Sequence, residues 1–232
     1  MTEIGAEQPQ APQITVGEAV NSQKPRVMLG LPTRDEVKMD FALTLAGICV
    51  RSCLVIDITT ANPRSCYVQI NRNDIVKEAL KQQCEWIMWI DSDVEAPIDG
   101  LLRLMSHNQD IVGATYARRS EPYQLMGRAV DRKAALPMEG LVEMSHLPTG
   151  FLLTKMDVFR KLEPPWFWVT HHPNGDVDLG DDYYFCDKAV KAGFRIMLDT
   201  ALTAEIKHHT SVGIGANGLA PRMSLVPGVA AQ

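Results

Sequence analysis

The chain has 232 residues, 46% of them apolar, and its 23 basic residues against 28 acidic ones leave a formal charge of −5. That length can bury a sizeable core in one domain, or one domain with a small subdomain. The acidic balance excludes a general electrostatic grip on nucleic acid, which requires a basic face. The longest apolar stretch, 41–50, lies between Asp40 and Arg51 and is too short to span a bilayer. The start, Met1-Thr2-Glu3-Ile4, lacks a basic region ahead of an apolar one; the expected location is cytoplasmic. Cys49, Cys53, Cys66, Cys84 and Cys186 form neither an even set nor CxxC units, which argues against a disulfide framework or a zinc ribbon.

Residues 1–24, rich in Gln, Glu, Pro and Ala without a period, read as a flexible leader. A strand is predicted over 26–33, stopped by Pro32, and Val37, Phe41, Leu45 and Ile48 then fall on one helical face. A second strand is expected at 53–58. Asn73-Asp74 reads as the cap of a helix carrying Ile75, Val76, Ala79 and Leu80. That helix leads into Trp86-Ile87-Met88-Trp89-Ile90, an apolar run of β-branched and aromatic types that reads as a central strand covered on both faces.

The run ends in Asp91-Ser92-Asp93. Ligands of open α/β sheets bind at the C-terminal strand edge, and side chains two apart on an extended segment share a side. Asp91 and Asp93 are therefore expected to face one ligand, and two hard oxygen donors suit Mg²⁺ or Mn²⁺. An Asp after a strand also serves simply to end it or to cap a helix, a role that fits Asp99 better than Asp91.

A helix over 100–106 and a strand over 110–116 continue the alternation, which implies an α/β fold with a mostly parallel sheet and right-handed crossovers. Residues 120–148 are polar and irregular, with short strands expected at 124–128 and 140–144 as antiparallel additions. Arg118-Arg119 and the trio Arg128, Arg132 and Lys133 read either as an anion site or as solvated surface. Beyond them come a strand at 150–154, a helix at 157–162 stopped by Pro164-Pro165, and a helix opened by Asp181-Asp182 and closed by Gly193. A strand over 195–199 follows. From 211 to 232 no period survives, which reads as a flexible tail or lid.

Four blocks in order give the chain its resemblance: Ile70-Asn71-Arg72-Asn73, Trp89-Ile90-Asp91-Ser92-Asp93, Pro148-Thr149-Gly150-Phe151-Leu152-Leu153, and Gly180-Asp181-Asp182-Tyr183-Tyr184-Phe185-Cys186. Over residues 25–210 the chain resembles the GT-A fold glycosyltransferases, in particular compact bacterial and phage-type members related to the large family of inverting enzymes. The resemblance implies a nucleotide-diphosphate-sugar donor, UDP-sugar first, and a DxD motif that binds Mn²⁺ or Mg²⁺. Asp93 would be the main metal ligand, with Asp91 on the ribose or a metal-bound water, Ser92 between them, and His208 preferred over His209 as a further ligand. Pro32, Thr33 and Arg72 would contact the donor. Asp182 would be the catalytic base and Asp181 its acceptor-side neighbour, while Thr149, Gly150 and Trp166 would meet the acceptor on the side of the small antiparallel lobe.

Each residue also has a plainer reading. Thr33 can belong to a turn, Arg72 can pair with Asp74, Gly150 can mark a bulge, and Trp166 can belong to an aromatic core. Acids in a first helical turn cap amides, and that environment lowers a carboxylate's pKa and weakens it as a base. Two other functions fit the same acids: a sugar-phosphate nucleotidyltransferase, for which Gly30-Leu31-Pro32-Thr33-Arg34-Asp35 is a poor phosphate loop, and a non-catalytic nucleotide-sugar-binding protein. A saccharide, a protein, a small molecule or a modified DNA base all remain open as acceptor, with a soluble acceptor expected over a lipid carrier.

Overall fold

The computed structural model describes residues 24–33, 36–119, 122–131 and 136–210. The expected leader up to residue 23, the C-terminal tail or lid, the end of the loop at Arg34-Asp35, and Arg132 and Lys133 of the basic trio lie outside them. Strand β1 (Arg26–Gly30) is followed by helix α1 (Met39–Ser52), strand β2 (Asp57–Ala61), helix α2 (Val68–Lys81) and strand β3 (Trp86–Ile90). A two-residue strand β4 (Val94–Glu95) precedes helix α3 (Gly100–Ser106) and strand β5 (Ile111–Gly113). The middle of the chain adds β6 (Arg128–Ala129), β7 (Leu141–His146) and β8 (Phe151–Lys155). Helix α4 (Met156–Lys161), a small ribbon of β9 (Thr170–His171) and β10 (Val177–Leu179), helix α5 (Asp181–Lys191), strand β11 (Ile196–Asp199), helix α6 (Thr200–Thr203) and strand β12 (Lys207–His208) complete it.

Eight strands form one sheet in the order β2-β1-β3-β8-β5-β11-β7-β6. β1 lies parallel to β2 and β3, and β11 parallel to β5, whereas β8 and β7 run against their neighbours. By direction the sheet is mostly parallel, as the alternation implied, with β6 and β7 as the antiparallel addition. One arrangement was not implied: reversed strand β8 sits in the middle, between β3 and β5. Because it is reversed, it begins where its neighbours end, and Thr149-Gly150 is delivered to the C-terminal edge of the sheet.

All five residues of β3 are buried. Ile87 and Trp89 point to one face, where α2, α4 and α5 contribute Ile75, Phe159 and Phe185. Met88 and Ile90 point to the other, against Phe41 and Ile48 of α1 and Leu101 and Leu104 of α3. Helix α5 is seated by aromatic stacking, with Phe185 parallel to Phe159 at 5.3 Å and to Phe167 at 4.9 Å between ring centroids.

Three local expectations are corrected. The second strand covers 57–61, not 53–58, because α1 runs through Ser52 and the following turn delays parallel pairing until Asp57 meets Arg26. Asn73 and Asp74 are interior to α2, which begins at Val68. Asn73 instead uses its amide to hold the Trp166-Phe167 backbone, accepting from Trp166 N–H at 2.9 Å and donating to the Phe167 carbonyl at 2.7 Å. Asp99 stands at the N-cap of α3, yet its side chain makes no capping bond. The end of α5 is as read: Gly193 takes φ +88°, and Phe194 N–H returns to the Ala189 carbonyl.

Truncating the stacked ring should be expensive. Phe185→Ala is expected to lower stability by about 3–5 kcal/mol, read as a shift of the urea midpoint, and Phe185→Leu by substantially less.

Candidate functional site

The C-terminal edge gathers the ends of β1, β3 and β5, the beginning of β8 and the first turn of α5. At its centre is Arg72 of α2, which is 4% exposed. One arm of its guanidinium donates to Asp181 Oδ2 at 2.5 Å, and the other to Asp91 Oδ1 and Oδ2 at 3.0 and 3.2 Å. Burial disfavours the charge, but Asp91, Asp181 and Asp182 outweigh it and hold Arg72 more firmly protonated than an ordinary arginine. Arg72 therefore pairs across the fold and not with Asp74, which pairs with Lys77 at 2.8 Å.

Asp91 and Asp93 point to different partners. Asp91 turns to Arg72 and accepts nothing from His208, while Asp93 faces His208, whose Nε2 lies 3.5 Å from Asp93 Oδ2. On the other side of that ring, Nδ1–H donates to the carbonyl of Ala117 at 2.8 Å. Because Nδ1 donates there, Nε2 is the ring nitrogen left to face Asp93, donating to it when the imidazole is protonated and offering a lone pair when it is neutral. Arg119, half exposed, reaches the same carboxylate oxygen at 2.9 Å. Burial would raise the Asp93 pKa, but His208 and Arg119 prevail and hold it low; His208 is correspondingly raised despite its own burial, chiefly by its bond to Asp93. The expected trio Asp91, Asp93 and His208 is thus not drawn together. Among the described residues, the three-residue His/Cys/Asp/Glu group whose ligand atoms lie within 4.8 Å of one another is Asp40, Glu95 and His209.

The two acids of α5 have separate fates. Neither caps the helix from the N-cap position, which is Gly180. Asp181 is buried on Arg72. Asp182 folds one oxygen back to accept Tyr183 N–H at 2.8 Å. Burial, the neighbouring Asp181 and Asp91 push its pKa up to about 6, against the opposing pull of Arg72 and the Tyr183 amide. The lowering expected of a first-turn acid is not found here, because desolvation outweighs the pull of Arg72 and of the first-turn amide.

Tyr116, just past β5, links these groups and carries no motif by which sequence reading would single it out. It is 5% exposed, packs against His208 in a tilted ring contact with centroids 4.5 Å apart, and is held well above the usual phenol range by burial first and then by Asp91. Its hydroxyl lies only 2.1 Å from where a Cβ on Gly150 would stand, and Asp91 Oδ2 3.0 Å from it. Gly150 also accepts Asp91 N–H through its carbonyl at 3.0 Å, so a close backbone approach, not a bulge, explains this glycine.

Thr33 is buried in the turn after β1, with its N–H on the Leu31 carbonyl, and Pro32 beside it is partly exposed at the same edge. Ser92 occupies the turn between the two acids. Thr149 is buried, and its hydroxyl, like Arg72 Nε, has no hydrogen-bond partner. Trp166 lies apart, in the aromatic core, where its indole N–H donates to the carbonyls of Phe159 and Leu162 at 3.0 and 2.9 Å. Past the end of β5, Thr115, Met126, Gly127, Arg128 and Met144 line a cavity of about 330 Å³. Tyr183 ties its wall to α5 by accepting Gly127 N–H, and Arg128 lies over the Tyr183 ring at 5.0 Å. A larger cavity of about 540 Å³ opens at the opposite end of the strands, where Arg26 and Asp57 neutralise each other.

The sequence model of a family described as Anp1 matches residues 58–125, which include Arg72, Asp91, Asp93, Tyr116 and Arg119. No curated protein matches the chain. Among solved structures, A197 from STIV is similar at a TM-score of 0.56 and 15% identity, covering 84% of this chain and 92% of that one. A UDP-glucose pyrophosphorylase in its apo form is similar at a TM-score of 0.46 and 9% identity, covering 76% and 90%. A glycosyltransferase involved in glycosylation of the major capsid of PBCV-1 gives 0.31 and 16%, covering 61% and 68%. The chain has the α/β architecture with a mostly parallel central sheet and a small antiparallel addition that its motifs implied, and it shares its fold with A197 from STIV.

Two stability measurements test this geometry. Gly150→Ala must displace Tyr116 and is expected to lower stability by about 1–3 kcal/mol, with partial recovery when Tyr116→Phe is added; thermal melts of the single and double variants check it. For Asp182, the raised native pKa means that folding carries no charge penalty below the unfolded value of about 4, and a full one once the pH passes about 6. Asp182→Asn should therefore stabilise the protein by about 1–3 kcal/mol at pH 7.5 and leave it unchanged at pH 3.5, as read by urea unfolding at the two pH values.

Proposed function

We propose that the protein is a glycosyltransferase that moves a sugar from a nucleotide-diphosphate sugar to an acceptor hydroxyl with inversion at the anomeric carbon. The observation that carries this reading is Asp182: a carboxylate lifted to about 6, beside an acid neutralised by Arg72, at the sheet edge that also holds Asp93 and His208. A general base works best with a pKa near the operating pH. Asp182 takes the proton of the acceptor hydroxyl as its oxygen bonds to the anomeric carbon, and the bond to the nucleoside diphosphate breaks with its electron pair on the leaving oxygen. The cavity of about 330 Å³, whose Gly127 wall is tied to α5 through the Tyr183 hydroxyl, is a candidate place for the acceptor.

Asp93 and His208 would hold Mn²⁺ or Mg²⁺, since one offers an oxygen and the other a lone pair fixed by the Ala117 carbonyl. A bound cation supplies neutralisation of the charge that develops on the departing diphosphate. Asp91, occupied by Arg72, is suited to a ribose hydroxyl more than to the ion. Arg119, paired with Asp93 and half exposed, is a cation that the donor phosphates would meet at this edge. Pro32, Thr33 and Ser92 line the donor side, and Thr149 and Gly150 the acceptor side. The Anp1 match, to a mannosyltransferase family, spans Arg72, Asp91, Ser92, Asp93 and Arg119 but not Pro32, Thr33, Asp182 or His208, and it supports the nucleotide-sugar part of this reading. A UDP-sugar is the first donor to try.

Incubation with UDP-, GDP-, CDP- and dTDP-sugars and Mn²⁺ is expected to release one nucleoside diphosphate, with kcat/KM rising as the pH passes about 6. Folded Asp182→Asn should lose about 10²–10⁴-fold in kcat. An unchanged rate would sink the base assignment. Pyrophosphate release from a nucleoside triphosphate and a sugar phosphate would instead identify a nucleotidyltransferase, and tight binding without turnover a nucleotide-sugar-binding protein.

A further inference from the structure

The β4–β12 ribbon carries two histidines with opposite outlooks. His208 pairs with Val94 and Lys207 with Glu95, and successive side chains on a strand alternate between faces. His208 turns to Asp93 and Tyr116, whereas His209 turns to the other face, where its Nε2 lies 3.0 Å from Glu95 Oε2 and 4.0 Å from Asp40 Oδ2. The three ligand atoms come from three separate elements, the first turn of α1, strand β4 and the residue after β12, yet all lie within 4.8 Å of one another.

We propose that Asp40, Glu95 and His209 form a second cation site, distinct from the Asp93–His208 pair and suited to Zn²⁺. One imidazole and two carboxylates are a borderline donor set that zinc favours over magnesium, and three protein ligands leave a position for water. Zinc bonds of about 2.0–2.1 Å place tetrahedral ligand atoms about 3.3 Å apart, and the observed 3.0 and 4.0 Å bracket that spacing. Asp40 is the longest reach, and its side chain is 58% exposed and able to close the gap. Lys207 Nζ sits on the remaining oxygen of Glu95 at 2.6 Å. It neutralises one of the two carboxylates and limits Glu95 to one donor atom; the neighbouring cation, Lys38, is engaged on the Thr210 carbonyl at 3.2 Å.

The site would act as a staple. His209 N–H donates to the Asp93 carbonyl at 2.8 Å, so an ion joining His209 to Asp40 would tie helix α1 to the backbone that positions Asp93 and His208.

The test is zinc binding by calorimetry and thermal shift on the full chain after chelator treatment, with no turnover required. One zinc equivalent should bind the parent protein and be retained in His208→Gln. It should weaken about tenfold or more in His209→Gln and in Asp40→Asn, and tighten several-fold in Lys207→Met, where Glu95 becomes free to bind through both oxygens. Unchanged zinc affinity in folded His209→Gln and Asp40→Asn overturns the proposal. So does loss of the zinc in His208→Gln alone, which would return the ion to the Asp93 pair.

Discussion

The buried guanidinium of Arg72 is the constraint around which the rest of the site is arranged. It joins three parts of the chain, α2, the end of β3 and the start of α5, through partners 19 and 109 residues away. A charge so placed is tolerable only when it is paired and hydrogen-bonded, and the same holds for the carboxylates it meets. Each therefore dictates the position of the others. The Phe167 ring, 5.9 Å from the guanidinium carbon, continues the same contact into the aromatic stack that seats α5.

That one cation also sorts two adjacent acids. Asp181 receives the ion pair, while Asp182 remains close to Asp181 and Asp91 in a partly buried place. The carboxylate without the ion pair is the one that burial and its like-charged neighbours make more basic. The penalty for an ionised Asp182 is borne by the fold, and the aromatic packing beneath α5 offsets it. If Asp182 is the base proposed above, stability and chemistry are opposed at this residue.

Reversal of β8 contributes the second constraint. A parallel strand in that position would have carried its first residues to the far edge of the sheet. As it stands, Gly150 reaches the end of β3, and its missing side chain leaves room for the Tyr116 hydroxyl and the Asp91 carboxylate. Tyr116 in turn packs its ring, tilted, against His208. The ribbon that holds His208 is only two residues long, and its short ladder makes the position of that ring depend on Ala117, Asp93 and Tyr116.

Much of the fold was legible in the sequence because helices and strands are written as short periods. The buried run 86–90, helix α3 and the glycine that ends α5 follow from spacing, apolarity and φ preference alone. The abrupt pair Asp91 and Asp93 likewise marked the edge where a site would lie. Which group each side chain meets was decided by tertiary structure: Arg72 by Asp91 and Asp181 instead of nearby Asp74, Trp166 by two core carbonyls, and Asn73 by a loop 93 residues away. Asp182 gives the clearest instance, since local helix electrostatics predict a lowered pKa and burial raises it. Tyr116 had no motif to mark it, and Arg119, legible only as half of a basic pair that could bind an anion or face solvent, meets the Asp93 carboxylate. Periodicity is set by residues within a turn or two of one another, whereas ion pairing and desolvation depend on distances in space, which the sequence determines only through the completed fold.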